Sequence, residues 1–94
     1  MVSVTSRNID IGNGTKEYIT DKFSELGKYL DKIQFIDVVL EKTKLHNEVN
    51  LKIGLNKMGS ISFKEKSENI REAIDRLRDK AKIKLTRMKG KAYS

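Results

Sequence analysis

The stretch "FIDVVLEKTKLHNEVNLKIGLNKMGSISFKEK", residues 35–66, decides the fold. In its middle, Val49, Leu51, Ile53 and Leu55 alternate with Asn50, Lys52 and Gly54, the period-two pattern of a strand with one buried face. Upstream, Ile36, Val38 and Leu40 take one side and Asp37 and Glu41 the other, with Val39 keeping the β-branched character. Downstream, "NKMG" interrupts the alternation as a short hairpin loop does, and "SISFKEK" resumes it with Ile61 and Phe63 inward. With "TKLHNE" as a polar connection, the stretch predicts an antiparallel meander of three strands.

The flanking sequence supplies one more strand and two helices. "VSVTS" predicts a first strand over 2–6. "RNIDIGNG" carries turn residues, with Ile11 placed to pack back on the helix that follows. Ile19, Phe23, Leu26, Leu30 and Ile33 then form one apolar stripe, predicting a helix over about 13–31. Ser67 is placed to cap a second helix from Glu68, and Ile70, Ile74, Leu77, Ala81, Leu85 and Met88 carry that stripe to about residue 89. The order is β-α-β-β-β-α, an α+β domain with a four-stranded sheet and both helices on one face, the other face being left to solvent.

Composition narrows the function classes. Ninety-four residues support one core but no cleft between lobes, so a single domain over 1–94 is expected. With no cysteine, disulfides, thiolate metal sites and cysteine nucleophiles are excluded. No window approaches the ~18 apolar residues of a membrane span, and no signal-like run opens the chain, so a cytoplasmic location is the default. His46 stands alone in a loop and is read as a surface histidine rather than a ligand or general base. Asp75 and Asp79, four residues apart among arginines, are read as salt-bridge partners rather than an acid pair. "GNG" lacks the lysine and context of a phosphate loop and is a turn. Tyr18 and Tyr29 are read as core-edge residues in preference to RNA-facing ones. No enzyme, cofactor, metal or small-molecule substrate is indicated.

Charge is the informative feature. The chain carries a net +7, and after Asp79 there is no acid, while Lys80, Lys82, Lys84, Arg87, Lys89 and Lys91 follow. On a helical wheel one flank of the apolar stripe holds Arg76, Lys80, Lys84, Arg87 and Lys91, and the other Arg71, Arg78, Lys82 and Lys89. Glu72, Asp75, Asp79 and Thr86 fall opposite the core, so the helix is read as neutralising itself up to Asp79 and not from Lys80 onward. Some of Lys16, Lys22, Lys28 and Lys32 on the first helix join whichever flank faces it, making a basic ridge about 20–30 Å long. Uncompensated cations at this density predict a polyanionic partner, nucleic acid before a membrane surface, with bare solubility as the competing explanation.

The pattern "VTSRNIDIGNGTKEYITDKFSELGKYLDKI", the meander, and "SENIREAIDRLRDKAKIKLTRMKGK" together resemble the ribosome hibernation-promoting factors and ribosome-associated translation inhibitors over essentially the whole chain. Ala73, Ile74, Asp75, Leu77, Lys80 and Leu85 fall on that family's last-helix pattern. The resemblance implies a fold like the double-stranded-RNA-binding domain preceded by one strand. It also implies binding to 16S ribosomal RNA in the messenger and transfer-RNA channel of the 30S subunit. Translation would be blocked there, and 70S ribosomes held inactive, often as 100S dimers. The rRNA contacts it implies are Lys22, Lys28, Arg76, Lys80, Lys82, Lys84, Arg87, Lys89 and Lys91. A general double-stranded-RNA-binding module is the alternative. The sequence departs from the family at Glu65, where a small residue is usual, and at Asn69, Ile70 and Arg71. It also lacks the dimerisation domain of long members and the polar tail of the inhibitor branch, so a short hibernation-promoting factor, or the N-terminal domain of a longer one, is expected.

Overall fold

Cross-strand register builds the sheet. In a computed structural model that describes residues 2–29, 32–57 and 59–93, with side chains to residue 88, β2 (Ile33–Lys42) pairs antiparallel with β3 (Asn47–Leu55), setting Val38 opposite Leu51 and Leu40 opposite Val49. β4 (Gly59–Ser67) pairs antiparallel with β3, with Ile61 opposite Ile53 and Phe63 opposite Leu51. The apolar positions of all three strands therefore reach the same face, as the alternation predicts. β1 (Val2–Arg7) completes the order β1-β2-β3-β4 by pairing parallel with β2, Val4 opposite Val38. A parallel neighbour requires a crossover, and α1 (Asn13–Ser24) supplies it.

The first helix is shorter than its stripe. The α-helical part ends at Ser24, a 3-10 turn follows over Glu25–Lys28, and Ile33 already belongs to β2. Gly27 sits in that turn, where its backbone freedom weakens α-helix, and the Tyr29 amide donates to the Leu26 carbonyl at 3.0 Å. Leu30, also assigned to the stripe, lies outside the described residues.

The second helix starts later than the sequence reading places it. α2 spans Ile70–Tyr93, and Asn69 is its cap: Asn69 Oδ1 accepts from the Arg71 and Glu72 amides at 3.0 and 3.4 Å. Ser67 Oγ instead accepts from the Asn69 amide at 3.1 Å, a local turn that hands the chain to the cap.

Both helices lie on the apolar face. Ile19, Phe23 and Leu26 from the first and Ala73, Ile74, Leu77, Ala81 and Leu85 from α2 are fully buried against Val38, Leu40, Val49, Leu51 and Ile53. Ile9, Ile11, Tyr18 and Tyr29 pack at its margin, so both tyrosines are core-edge residues. Among the described residues no polar side chain belongs to this core. The opposite face carries Ser3, Thr5, Asp37, Lys52, Ser62 and Lys64, with one apolar patch where the Phe35 ring covers Gly54. A Cβ at Gly54 would overlap that ring, so the glycine permits the approach.

Candidate nucleic-acid interface

α1 and α2 run side by side in the same direction, since Tyr18 meets Arg71 and Asp75, Glu25 meets Arg78, and Tyr29 meets Lys82. Their shared seam is a ladder of charge and ring contacts. Tyr18 Oη donates to Asp75 Oδ1 at 2.6 Å, Lys22 Nζ lies 3.8 Å from the same oxygen, and the guanidinium carbon of Arg71 stands 4.7 Å from the Tyr18 ring centre. One step on, Arg78 Nη1 donates to Glu25 Oε2 at 3.2 Å. Its Nε lies 3.0 Å from Asp79 Oδ1 without hydrogen-bond geometry, so that contact is ionic only. At the far end Lys82 Nζ stands 5.3 Å from the Tyr29 ring centre.

Asp75 thus corrects the helical wheel. It faces α1 rather than the side opposite the core, where Tyr18 and Lys22 of α1 both reach its carboxylate. The bond to Asp75 raises the Tyr18 phenol above its ordinary 10.0; burial and the Asp75 charge add to this, and Arg71 and Arg78 oppose it. Since the folded value is raised, the stability linked to the neutral phenol is present below pH 10 and lost as pH climbs through the folded value. Asp75→Ala is expected to move the Tyr18 titration down toward 10.0, followed by absorbance at 295 nm with Tyr18→Phe subtracted. An unmoved midpoint would mean the bond does not form in solution.

The outer flank of α2 is built differently. Arg76 pairs with Glu72 one turn earlier, and its Nη1 lies 3.8 Å from Glu65 Oε1 of β4. Lys80 Nζ lies 2.5 Å from Glu65 Oε2. Beyond Lys80, Lys84 and Arg87 are exposed, and neither charged group has an ion pair or hydrogen bond among the described residues. The same holds for Lys28, at the matching end of the first helix.

The predicted contact residues therefore sort into three groups. Lys22, Arg76, Lys80 and Lys82 are engaged within the chain, by Asp75, by Glu65 with Glu72, by Glu65, and by the Tyr29 ring. Lys28, Lys84 and Arg87 are unengaged among the described residues, and all stand toward the α2 C-terminal half. Lys89 and Lys91 lie outside the residues whose side chains are described. The change from neutralised to uncompensated consequently falls just after Lys80 rather than at it, since the Tyr29 ring engages Lys82 without cancelling its charge. Helix sequence alone misses it because the partner of Lys80 comes from the sheet. The signal was present in β4, where Ile61, Phe63 and Glu65 share the helix-facing register.

Elsewhere His46 is half-buried rather than a free surface residue. Thr43 Oγ1 folds the loop by accepting from the His46 amide at 3.2 Å and donating to its carbonyl at 3.0 Å, and His46 Nε2 has no partner among the described residues. Among those residues no cluster of three or more His, Asp or Glu is placed to hold a metal. No described helix is long and apolar enough to cross a membrane.

The chain is similar to known proteins over nearly its whole length. The chain is 31% identical over 90 residues to a ribosome hibernation promoting factor of Escherichia coli K12, an alignment covering 96% of this chain and 94% of the relative. A ribosome hibernation promoting factor of Pseudomonas putida is 24% identical over 93 residues, covering 99% and 90%. In structure it superposes on a ribosomal subunit interface protein of Coxiella burnetii with a TM-score of 0.84, at 21% identity over 95% of this chain and 97% of the other. The N-terminal domain of Thermus thermophilus protein Y gives 0.80, at 23% identity over 92% and 94%. These two likenesses establish the β-α-β-β-β-α fold. With the family pattern matched from residue 2 to residue 93, and relatives aligned over nearly their full length, the chain belongs to the sigma 54 modulation protein / S30EA ribosomal protein family.

Proposed function

We propose that this chain is a ribosome hibernation factor that binds the small ribosomal subunit through the cationic surface of its helix pair. The observation that carries the reading is that Lys28, Lys84 and Arg87, on the later turns of the two parallel helices, are exposed cations without partners among the described residues. Such a group raises the self-repulsion of the free chain and is relieved when phosphates displace condensed counterions. The names of the whole-length relatives supply the ribosome.

In this reading 16S rRNA is engaged by Lys28, Lys84, Arg87, Lys89 and Lys91, and by Lys22, Arg76, Lys80 and Lys82 once their internal contacts yield. The seat is the messenger and transfer-RNA channel of the 30S subunit, and the effect is steric: an occupied channel admits neither ligand. No bond is made or broken. The 70S ribosome is held idle, alone or in 100S pairs, and the protein works in the cytoplasm where ribosomes are. The first turn of α2 is acidic at Glu72 and has no lysine, which disfavours a general duplex-RNA binder gripping through that helix end.

Sedimentation with purified small subunits tests the proposal. Binding is expected to be strong near 50 mM salt and to fall steeply by 200 mM, with a log–log slope of about 0.7–0.9 per phosphate engaged. A plain RNA duplex is expected to compete poorly. Equal binding to duplex and subunit would favour the general RNA-binding reading, and no pelleting at low salt would sink both.

A further inference from the structure

Among the described residues Glu65 is the one sheet acid paired with the cationic flank of α2. Its register partner is Val49, so it points toward the helices in line with Ile61 and Phe63, although it is charged. Its side chain is only 16% exposed, whereas Arg76 and Lys80 above it are 49% and 54% exposed. One carboxylate oxygen lies 2.5 Å from Lys80 Nζ and the other 3.8 Å from Arg76 Nη1. Two oxygens bridging two cations one helical turn apart is also how a phosphate group would sit between them.

We propose that Glu65 is an internal counter-anion occupying a phosphate seat formed by Arg76 and Lys80, so that these two cations engage RNA only by exchanging the carboxylate for a phosphate. The proposal rests on the RNA-facing reading of α2 and adds a limit to it. Among the described residues of that flank, Arg76 and Lys80 are closed in the free chain while Lys84 and Arg87 are open. Arg76 is held from two sides, by Glu65 and Glu72, while among the described residues Glu65 alone holds Lys80, so Lys80 is the cation that the exchange frees first. Glu65 thereby sets how many phosphates the chain grips.

The test compares Glu65→Gln with Glu68→Gln. Both remove one negative charge, but the Glu68 carboxylate is exposed and has no partner among the described residues, so only Glu65→Gln frees cations. Elution from immobilised heparin and pelleting with small subunits are measured across salt for both. Glu65→Gln is expected to bind about tenfold more tightly than wild type and to steepen the salt slope by roughly 1–2, with Glu68→Gln changing both much less. Equal behaviour of the two variants would reduce the effect to net charge, and weaker binding by Glu65→Gln would make it a positioning residue; either overturns the proposal.

A second comparison leaves Glu65 intact, in case its replacement disturbs folding. Lys80→Gln is expected to shift heparin elution less than Lys84→Gln does, because Lys80 is already neutralised; equal shifts overturn the proposal. If no variant pellets with subunits while the heparin differences persist, the ribosomal reading fails and the counter-anion stands.

Discussion

The double variant Lys84→Glu with Arg87→Glu is expected to lose association with small ribosomal subunits by on the order of a hundredfold at moderate salt. Each replacement changes the local charge by two units. A unit charge pair at 4 Å is worth about 1 kcal/mol in water, so four units give about 4 kcal/mol before screening. Salt reduces this to roughly 2–3 kcal/mol, near a hundredfold in affinity. The salt slope should flatten by about 2, one for each phosphate that the variant no longer engages. Neither side chain is buried or paired within the described residues, so the unfolding free energy from urea titration should stay within about 0.5 kcal/mol of wild type. A variant that folds and still pellets normally would remove this end of α2 from the interface.

Phe23→Ala carries the largest expected effect on stability. Phe23 is fully buried and has the greatest volume in the core, lodged between α1, α2 and the sheet. Truncating such a ring removes its transfer free energy and leaves a cavity, together about 3–5 kcal/mol. A chain of 94 residues has a total stability of about 5–14 kcal/mol, so the loss is about a fifth or more of what holds the fold. At about 4–8 °C per kcal/mol, the melting temperature should fall by at least ~12 °C. A drop of only a few degrees would show that α1 is not the cover the sheet depends on.

That dependence explains why the architecture was legible in the sequence. Alternation over residues 36–40, 49–55 and 61–63 commits every apolar side chain to one face, and a slip of one residue would expose them all. The two helical stripes then have nowhere to bury except that face. Element ends were less legible because they are set by local competition: Asn69 rather than Ser67 caps α2, and Ile33 leaves the helical stripe to extend β2.

The candidate interface divides along the same line. The sequence by itself determined the fold class, the apolar stripe that each helix buries, and the cationic run from Lys80 to Lys91, because periodicity and charge are properties of consecutive residues. Only the tertiary structure decided which of those cations are open. Ion pairing depends on groups brought within about 4 Å from distant positions, and Glu65 lies fifteen residues before Lys80 along the chain yet 2.5 Å from its ammonium. Packing β4 against α2 closes Arg76 and Lys80, packing α1 against α2 engages Lys22 and Lys82, and among the described residues no acid pairs with Lys28, Lys84 or Arg87.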